Sequence, residues 1–218
     1  MIAGLLLAAG FGRRFGGNKL VAELHGVPII RRSFGAIAGC DACYVVVPAE
    51  HAAIESALGT LAPIFIVNER AEDGMSASIR AGVAALPNNC EAVIIALGDQ
   101  PFTSPAVAAQ LVDAWRETGA PAVVPHYQGG AGHPVLFACE TFPALLALNG
   151  DMGAKPVLRR WDHASLKFRS TQQFPTMLTP GTFLPNWKLV TGPIHELAVC
   201  WSTTGVRNGS LRHVWQRV

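Results

Sequence analysis

The N-terminal segment passes from a short apolar stretch directly into a loop that is rich in glycine and basic residues. Residues 2–8 are apolar and glycines follow soon after, which predicts a buried strand of a parallel sheet rather than a helix. Glycines let the backbone come close to a ligand and point consecutive N–H groups at an anion. The glycines here are Gly10, Gly12, Gly16 and Gly17, and the accompanying cations are Arg13, Arg14 and Lys19. We interpret the segment as a phosphate-binding loop.

Two familiar phosphate-binding loops do not fit this spacing. A dinucleotide-binding fingerprint requires G-x-G-x-x-G, whereas Gly10, Gly12 and Gly16 are spaced G-x-G-x-x-x-G. A Walker A loop ends in Lys-Ser or Lys-Thr, but Leu20 follows Lys19, so no hydroxyl is placed to bind magnesium. The structural alternative is a simple strand-to-helix turn, which would crowd three cations together without a partner.

Length and composition indicate one large domain with a sizeable core. The chain has 218 residues, half of them hydrophobic, and its formal net charge of +2 argues against a nucleic-acid or membrane surface. The apolar runs are short and Met1 leads directly into the first strand. We therefore expect a cytoplasmic protein without a signal peptide or a membrane span.

The five cysteines are odd in number and scattered, which is typical of reduced thiols in the cytosol. Cys40 and Cys43 have C-x-x-C spacing, which can mark a redox dithiol or half of a zinc site. No second Cys/His pair with metal-ligand spacing follows in the sequence. We expect two half-buried thiols at a helix-to-strand junction.

The middle of the chain alternates strand-like runs with helical segments. Strands are predicted over residues 2–8, 42–47, 64–67, 92–97 and 122–124, and helices over residues 28–38, 49–58, 76–86, 104–118 and 154–161. Strand–helix–strand units of this kind connect right-handedly and build a largely parallel sheet with helices on both faces, an α/β fold. Ligands bind beyond the carboxyl ends of such strands, so the residues that follow each strand are candidates for a site.

A polar segment follows the strand predicted at 64–67. Residues 68–82 read NERAEDGMSASIRAG, in which Ser76 or Ser78 is expected to cap a helix whose N-terminus faces the same crevice as the first loop. Such a helix start could hold a ribose, a base edge or another phosphate. An ordinary capped surface helix is the alternative.

A single carboxylate, Asp99, follows the apolar strand predicted at 92–97. Magnesium takes one or two protein carboxylates and completes its shell with phosphate oxygens and water. A carboxylate at a strand end beside a phosphate-binding loop is therefore expected to be a magnesium ligand. The alternative is that Asp99 only caps the following turn.

Taken in order, the motifs resemble those of the molybdenum cofactor cytidylyltransferases, within the MobA-like nucleotidyltransferases. The first loop reads L-A-A-G-x-G-x-R-x-G-x-x-K over residues 7–19. Four further matches are NERAEDGMSASIRAG at 68–82, GDQP at 98–101, GHPVLF at 132–137 and GDMGA at 150–154. The resemblance covers about residues 1–170 and implies a Rossmann-like three-layer sandwich with a mostly parallel central sheet, of the nucleotide-diphospho-sugar transferase type.

The resemblance implies transfer of CMP from CTP to the molybdopterin-type molybdenum cofactor. The terminal phosphate of the pterin attacks the α-phosphorus of CTP and pyrophosphate leaves, with Mg²⁺ as the cofactor. Related guanylyltransferases carry L-A-G-G where residues 7–10 read L-A-A-G, which favours CTP over GTP. The implied partners are CTP, molybdenum cofactor and a receiving molybdoenzyme of the xanthine dehydrogenase type, with neither nucleic acid nor membrane.

The resemblance also implies roles for individual residues. Arg14 and Lys19 are expected to act in catalysis by neutralising the leaving pyrophosphate, and Asp99 by holding the metal. The residues expected near the nucleotide are Leu7, Ala8, Ala9, Gly10, Gly12, Asn68, Gly74, Ser76, Ser78 and Arg80. His133 and Asp151 are expected on the pterin side; as an alternative, each suits an ordinary turn.

The C-terminal segment departs from the family pattern. From residue 163 onward there are six Lys or Arg, a single acid, Glu196, and nothing resembling the acidic D-I-D-T-P-E-D segment that contributes to the metal site in related transferases. We expect residues 1–170 to form the nucleotidyltransferase domain and residues 171–218 an atypical extension packed on it. A partner-binding surface and a shifted reading frame are alternatives for the extension. Magnesium binding is expected to be weakened unless another acid substitutes: Glu72, Asp73 or Asp151.

Two other functions stay open on sequence grounds. A non-catalytic accessory protein that binds molybdenum cofactor and delivers it to a molybdoenzyme would keep the pocket without turnover. A transferase of the same fold could act on a sugar phosphate or an alditol phosphate. An NAD(P)-dependent reductase is disfavoured by the glycine spacing of the first loop.

Overall fold

A nine-stranded sheet forms the centre of the protein. The computed structural model describes residues 1–10, 18–127, 130–161, 163–168 and 199–201. Its strands are β1 (Ile2–Leu7), β2 (Glu23–Leu24), β3 (Val27–Pro28), β4 (Ala42–Val47), β5 (Ile64–Val67), β6 (Ala92–Leu97), β7 (Ala122–Tyr127), β8 (Gly130–Ala131), β9 (Val135–Ala138), β10 (Ala164–Phe168) and β11 (Val199–Trp201). Its α-helices are α1 (Ile29–Phe34), α2 (Ala52–Leu58), α3 (Met75–Ala84), α4 (Pro105–Thr118), α5 (Phe142–Leu146) and α6 (Lys155–Arg160).

The strand order is β11-β10-β7-β9-β6-β1-β4-β5, with β8 paired to β7 and with β2 and β3 in a separate ribbon. Strand β1 lies in parallel between β4 and β6, and β5 continues the parallel arrangement beyond β4. Strand β9 runs antiparallel between β6 and β7. The prediction of an α/β fold with a mostly parallel central sheet is confirmed.

Helices cover both faces of the sheet, because successive side chains of its buried strands point to opposite faces. One face buries Leu6, Val45 and Ile94 against residues of α1, α2 and α4: Ile30, Phe34, Ile54, Leu58 and Leu111. The other face buries Leu5, Val46 and Ile95 against residues of α3, α5 and α6: Ile79, Val83, Leu145 and Val157. Together these layers form the three-layer sandwich.

Helix α3 lies very close to the central strand. A Cβ placed on Gly82 would come within 2.5 Å of Leu5 Cδ2, so a larger residue would push α3 away from β1. The hydrogen bond from Asn68 N to Val47 O, 2.8 Å, ties the start of the β5–α3 connection to the neighbouring strand. The segment that carries several predicted site residues is therefore fixed to the centre of the sheet.

Most predicted elements occur, with shifted ends. The strands predicted at 42–47, 64–67 and 92–97 match the structure, whereas β7 extends three residues beyond the predicted 122–124. Helix α1 stops at Phe34 because the following residues form tight turns, such as Ala36 N to Ser33 O at 3.1 Å, instead of the predicted helix to residue 38. Strand β9 was not predicted.

The prediction that Ser76 or Ser78 caps the helix after β5 is wrong. Helix α3 begins at Met75, its N-cap is Gly74, and no side chain of the N-cap residue makes a capping hydrogen bond. Both serines lie inside the helix and are buried. A carboxylate from a distant segment takes the capping role, as the site geometry shows.

The cysteines behave as predicted where the structure describes them. Cys40, between α1 and β4, and Cys43, at the start of β4, are free, half-buried thiols. Burial, together with nearby Cys43 and Asp41, raises the pKa of the Cys40 thiol to about 12, so it is protonated and unreactive at neutral pH. Within the described ranges, no group of three or more His, Cys, Asp or Glu side chains is arranged to hold a metal.

Three residues of the predicted C-terminal extension pair with the edge of the sheet. Strand β11 is antiparallel to β10, with Leu166 opposite Trp201. The division at residue 170 stays a prediction, and residues 171–198 and 202–218 lie outside the described part of the chain. Among the helices that the structure describes, none has the length and the apolar character that crossing a membrane requires.

Candidate active site

The carboxyl ends of β1 and β6 bring together two residues that are 80 positions apart in the sequence. Lys19 Nζ lies 3.3 Å from Asp99 Oδ2, and we call these two residues the strand-end pair. Leu7 and Leu97 are in register on these adjacent parallel strands, so the pair lies at the end of the sheet where both strands finish. A short 3-10 turn fixes the backbone at Lys19, since Asn18 Oδ1 accepts a hydrogen bond from Leu20 N at 3.1 Å.

The two partners of the strand-end pair differ in exposure. The Lys19 side chain is only 14% exposed, whereas that of Asp99 is 44% exposed. An ion pair with one partner this exposed contributes little to stability because water screens it. Both groups can therefore change partners at small cost when a phosphate or a metal ion arrives.

The end of β1 packs tightly against the loop that carries Asp99. Gly98 N donates to Leu7 O at 2.9 Å, and a Cβ on Gly98 would lie 3.0 Å from that oxygen. Ala8 N donates to Val46 O at 2.8 Å, and both Ala8 and Ala9 are buried. The structure thus places the predicted residues Leu7 and Ala8 against Gly98, the residue before Asp99, with some of their backbone groups already paired; Ala9 is buried, and Gly10 after it is exposed.

Five predicted residues of the first loop lie outside the described residues: Gly12, Arg13, Arg14, Gly16 and Gly17. Their proposed roles stay predictions from the sequence. The described part of the loop ends at Gly10 and the chain is described again from Asn18.

Asn68 and Ser78 are bonded to each other inside the protein. Asn68 Nδ2 donates to Ser78 Oγ at 3.1 Å, and Asn68 Oδ1 accepts from Arg70 N at 3.1 Å. Each of the two residues is only 5% exposed. This bridge holds the β5–α3 connection against the second turn of α3.

Helix α3 also binds the loop of residues 148–153, and we call the two together the helix–loop unit. Ser76 Oγ donates to Asn149 O at 3.4 Å, Arg80 Nη1 donates to Leu148 O, and Met75 N donates to Asp151 Oδ1 at 2.9 Å. Sequence reasoning missed Leu148 and Asn149 because they act through backbone carbonyls, which leave no mark in a sequence. The structure groups Gly74, Ser76, Arg80 and Asp151 in this unit.

His133 lies close enough to the strand-end pair for the charge of Asp99 to affect its pKa. Burial lowers the pKa of His133, which a backbone hydrogen bond with Ile95 and the charge of Asp99 partly offset. The ring is thus held neutral, and its Nδ1 is buried without a hydrogen-bond partner among the described residues. Tyr127 Oη donates to His133 O at 3.0 Å and fixes the backbone before Pro134. An unpaired buried nitrogen is a candidate for a ligand contact.

Asp99 is the described residue that is best placed to hold a divalent cation. Asp99 is an exposed carboxylate at a strand end, and it suits an ion that takes its other ligands from phosphate oxygens and water. Asp73, one of the acids considered as a substitute, is bound to Arg70 Nη2 at 2.5 Å. The donor set therefore fits a metal that arrives together with a polyphosphate.

A cation and a carboxylate at adjacent strand ends of an α/β sheet are suited to phosphoryl or nucleotidyl transfer, which needs charge neutralisation and a metal ligand at one place. Residues 4–165 match the family described as MobA-like NTP transferase domain. The chain belongs to this family, which is a family of nucleotidyltransferases. The matched residues include the strand-end pair, the helix–loop unit and His133, and end before the predicted C-terminal extension.

Two curated relatives resemble the chain over most of their length. Purine catabolism protein PucB of Bacillus subtilis is 32% identical over an alignment of 168 residues, and the match covers 72% of this chain and 80% of the relative. Nicotine blue oxidoreductase of Paenarthrobacter nicotinovorans is 29% identical over 174 residues, covering 73% and 82% of the two chains. The two names describe different activities, so similarity to these relatives does not identify the substrate of this protein.

Solved structures agree with the fold. Rv0371c of Mycobacterium tuberculosis H37Rv is 26% identical with a TM-score of 0.68, over 76% of this chain and 87% of that one. A structure of the same protein with manganese, 24% identical by its alignment, has a TM-score of 0.66 over the same shares. A nucleotidyl transferase of Methanothermobacter thermautotrophicus is 28% identical with a TM-score of 0.61, over 72% and 80%. The predicted nucleotidyltransferase fold is confirmed.

Proposed function

We propose that this protein transfers CMP from CTP to the molybdenum cofactor and releases pyrophosphate. The observation that carries the proposal is the 3.3 Å contact between Lys19 and Asp99 at the carboxyl ends of β1 and β6, beside the L-A-A-G segment at 7–10. A cation and a metal-binding carboxylate at one strand edge are what transfer from a nucleoside triphosphate requires. Membership of the family supports the reaction class, and the motif resemblance supports the particular substrates.

The chemistry needs alignment and neutralisation of charge more than it needs a base. The attacking oxygen belongs to the terminal phosphate of the pterin and is already an anion at neutral pH. It forms a bond to the α-phosphorus of CTP, the bond from that phosphorus to the oxygen bridging to the β-phosphate breaks, and pyrophosphate leaves. Lys19 would leave Asp99 and face the developing charge of the leaving group, and Arg14 would do the same from the first loop.

Asp99 is the residue that would hold Mg²⁺. The ion, when bound, supplies positive charge that reduces the repulsion between the attacking phosphate and the triphosphate. In the free protein Asp99 instead accepts a hydrogen bond from Lys19, which keeps both side chains at the site.

Neutral His133 would face the acceptor half of the site. Its unpaired Nδ1 accepts a hydrogen bond if Nε2 carries the proton that is shared with the backbone of Ile95. A pterin offers N–H donors, so His133 can pair with this class of acceptor without adding a positive charge to the site.

The direct test is pyrophosphate release with CTP, GTP or ATP as the nucleotide, with Mg²⁺, in the presence and absence of molybdenum cofactor. The proposal predicts release only with CTP and cofactor together. Release with GTP at an equal kcat/KM would remove the base preference. Binding of the cofactor without any release would indicate the accessory protein, and release with a sugar or alditol phosphate in place of the cofactor would indicate the other transferase.

A further inference from the structure

Two glycine-containing motifs, residues 68–82 and residues 150–154, pack tightly against each other in the helix–loop unit. A Cβ on Gly74 would lie 2.7 Å from Asp151 Oδ1 and 2.9 Å from Asp151 Cβ. On the other side of the contact, a Cβ on Gly153 would lie 2.8 Å from Met75 Sδ. Each motif therefore has a glycine at the point where the other motif inserts a side chain.

The backbone at these two glycines is also one that other residues rarely adopt. Gly74 has φ of +91° and Gly153 has φ of +58°. Gly74 turns the chain into α3 so that the N–H of Met75 points at Asp151 Oδ1, 2.9 Å away. The two glycines thus allow the contact between the segments in two ways: they adopt a positive φ, and they leave room for the opposing side chain.

We propose that Asp151 is a positioning residue that caps the N-terminus of α3, and that it does not itself bind metal or substrate. The N–H groups in the first turn of a helix lack partners within the helix, and the helix dipole favours a negative charge there. The N-cap residue Gly74 has no side chain that could fill this role. The carboxylate of Asp151 fills it from 76 residues away.

The consequence concerns the nucleotide, and it rests on the proposed function. Ser76, Ser78 and Arg80 are the α3 residues expected near the nucleoside, and the first turn of α3 is held by Asp151. Ser76 and Arg80 also contact the carbonyl groups of Asn149 and Leu148 in the same loop. Loosening the loop would free the first turn of α3, so Asp151 acts on nucleotide binding through that turn.

The test compares Asp151→Ala with Asp151→Asn in the full-length chain. Asparagine keeps an oxygen acceptor and caps helices as well as aspartate does, but it lacks the charge that a metal or phosphate partner would require. The first measurement is hydrogen exchange of the Met75 amide by NMR. We expect roughly five-fold faster exchange in Asp151→Ala, as for the loss of a helix cap, and nearly unchanged exchange in Asp151→Asn.

The second measurement is the dissociation constant of Mg·CTP for each variant. We expect weaker binding for Asp151→Ala and near-native binding for Asp151→Asn. Asp113→Ala is the control, because Asp113 is an exposed acid on α4, which packs on the opposite face of the sheet from α3. It should leave both the exchange of the Met75 amide and the dissociation constant of Mg·CTP unchanged.

Two results would overturn the proposal. One is unchanged exchange of the Met75 amide in Asp151→Ala. The other is loss of nucleotide binding in Asp151→Asn equal to that in Asp151→Ala while the Met75 amide stays protected, which would show that the charge itself acts on a ligand. Because amide exchange needs no substrate, a protein that fails to use CTP would still give a clear answer on Asp151.

Discussion

The strand-end pair and the helix–loop unit carry most of the predicted site residues that the structure describes, but they use them differently. Lys19 and Asp99 meet each other at 3.3 Å with the carboxylate partly open to water. In the helix–loop unit, Ser76, Arg80 and Asp151 are engaged with the helix backbone or with carbonyl groups of the loop. The first group is available to a ligand, whereas the second group holds structure in place.

A residue can belong to a motif for one of two reasons: it binds a ligand, or it positions other residues. A residue that binds a ligand leaves its polar atoms in weak or exposed contacts, so that substrate can replace them at little cost. A residue that positions others has its polar atoms satisfied inside the protein, where losing a partner is expensive. Substitutions in the first group should therefore reduce turnover with little loss of stability, whereas substitutions in the second group should reduce local or global stability and affect ligand binding only indirectly.

The largest effect is expected for Asp99→Asn. Loss of the only carboxylate of the strand-end pair should reduce pyrophosphate release by about 1,000-fold or more, because the metal would lose its protein ligand. The melting temperature should hardly change, since the contact with Lys19 is partly exposed. Steady-state kinetics and thermal unfolding measure the two effects.

The matched control is Asp113→Asn, an exposed acid on α4. It should change neither quantity. Native turnover by Asp99→Asn would show that Asp99 does not act in the reaction. The strand-end pair would then no longer differ from the helix–loop unit as the group that binds the ligand.

Next in size is Lys19→Ala, which removes a charge-assisted contact worth about 1.5–3 kcal/mol. We expect turnover to fall ten- to about 100-fold, as those energies imply. Lys19→Arg keeps the charge and should recover part of the rate. A variant that loses stability but keeps its rate would move Lys19 from the ligand-binding group to the structural group.

The sequence alone was sufficient to predict the central strands. The runs at 42–47, 64–67 and 92–97 are apolar, rich in branched residues and bounded by Pro, Asn or Gly, so their ends are marked locally. Strand β9 was missed because its apolar run follows a glycine–histidine–proline turn and was considered only as a motif. Its antiparallel pairing with β6 and β7 depends on contacts that no local signal shows.

The candidate site was predictable where chemistry depends on residue type. A lone acid after an apolar strand and a lysine after a glycine-rich loop pointed to one crevice, and the structure joins them. The cap of α3 was wrongly predicted from nearby serines, because the actual acceptor comes from Asp151, 76 residues away. The carbonyl groups of Leu148 and Asn149 could not be predicted, since any residue type supplies a carbonyl.

A smaller effect, on stability more than on turnover, is expected for Asn68→Ala. The change leaves Ser78 Oγ and Arg70 N without their buried partner, which should cost about 1–3 kcal/mol in the free energy of unfolding. The melting temperature should fall by roughly 2–4 °C for each kcal/mol. Thermal unfolding of the purified variant measures this loss.

Asn88→Ala, at an exposed position, is the control and should stay within about 0.5 kcal/mol of the native protein. If Asn68→Ala instead keeps its stability and loses as much turnover as Lys19→Ala, Asn68 belongs with the residues that contact substrate.

The smallest effect concerns pH and His133. Burial lowers the pKa of the folded-state imidazole below its ordinary value of 6.5. Above pH 6.5 the ring is neutral in both the folded and the unfolded chain, so it contributes no pH dependence. As the pH falls below 6.5 the unfolded chain takes up a proton that the folded chain resists, so stability decreases until the folded-state pKa is reached.

His133→Gln should therefore flatten the decrease in melting temperature between about pH 6.5 and pH 5. His126, whose pKa burial also lowers, contributes separately, so His126→Gln should remove a different part of the slope and the double variant should remove more than either. Asp99→Asn should steepen the slope slightly, because the charge of Asp99 raises the pKa of His133 and its loss would lower that pKa further. A slope that His133→Gln leaves unchanged would show that His133 is not held neutral. Below pH 6.5 the acceptor side of the site would then carry an additional positive charge next to the strand-end pair.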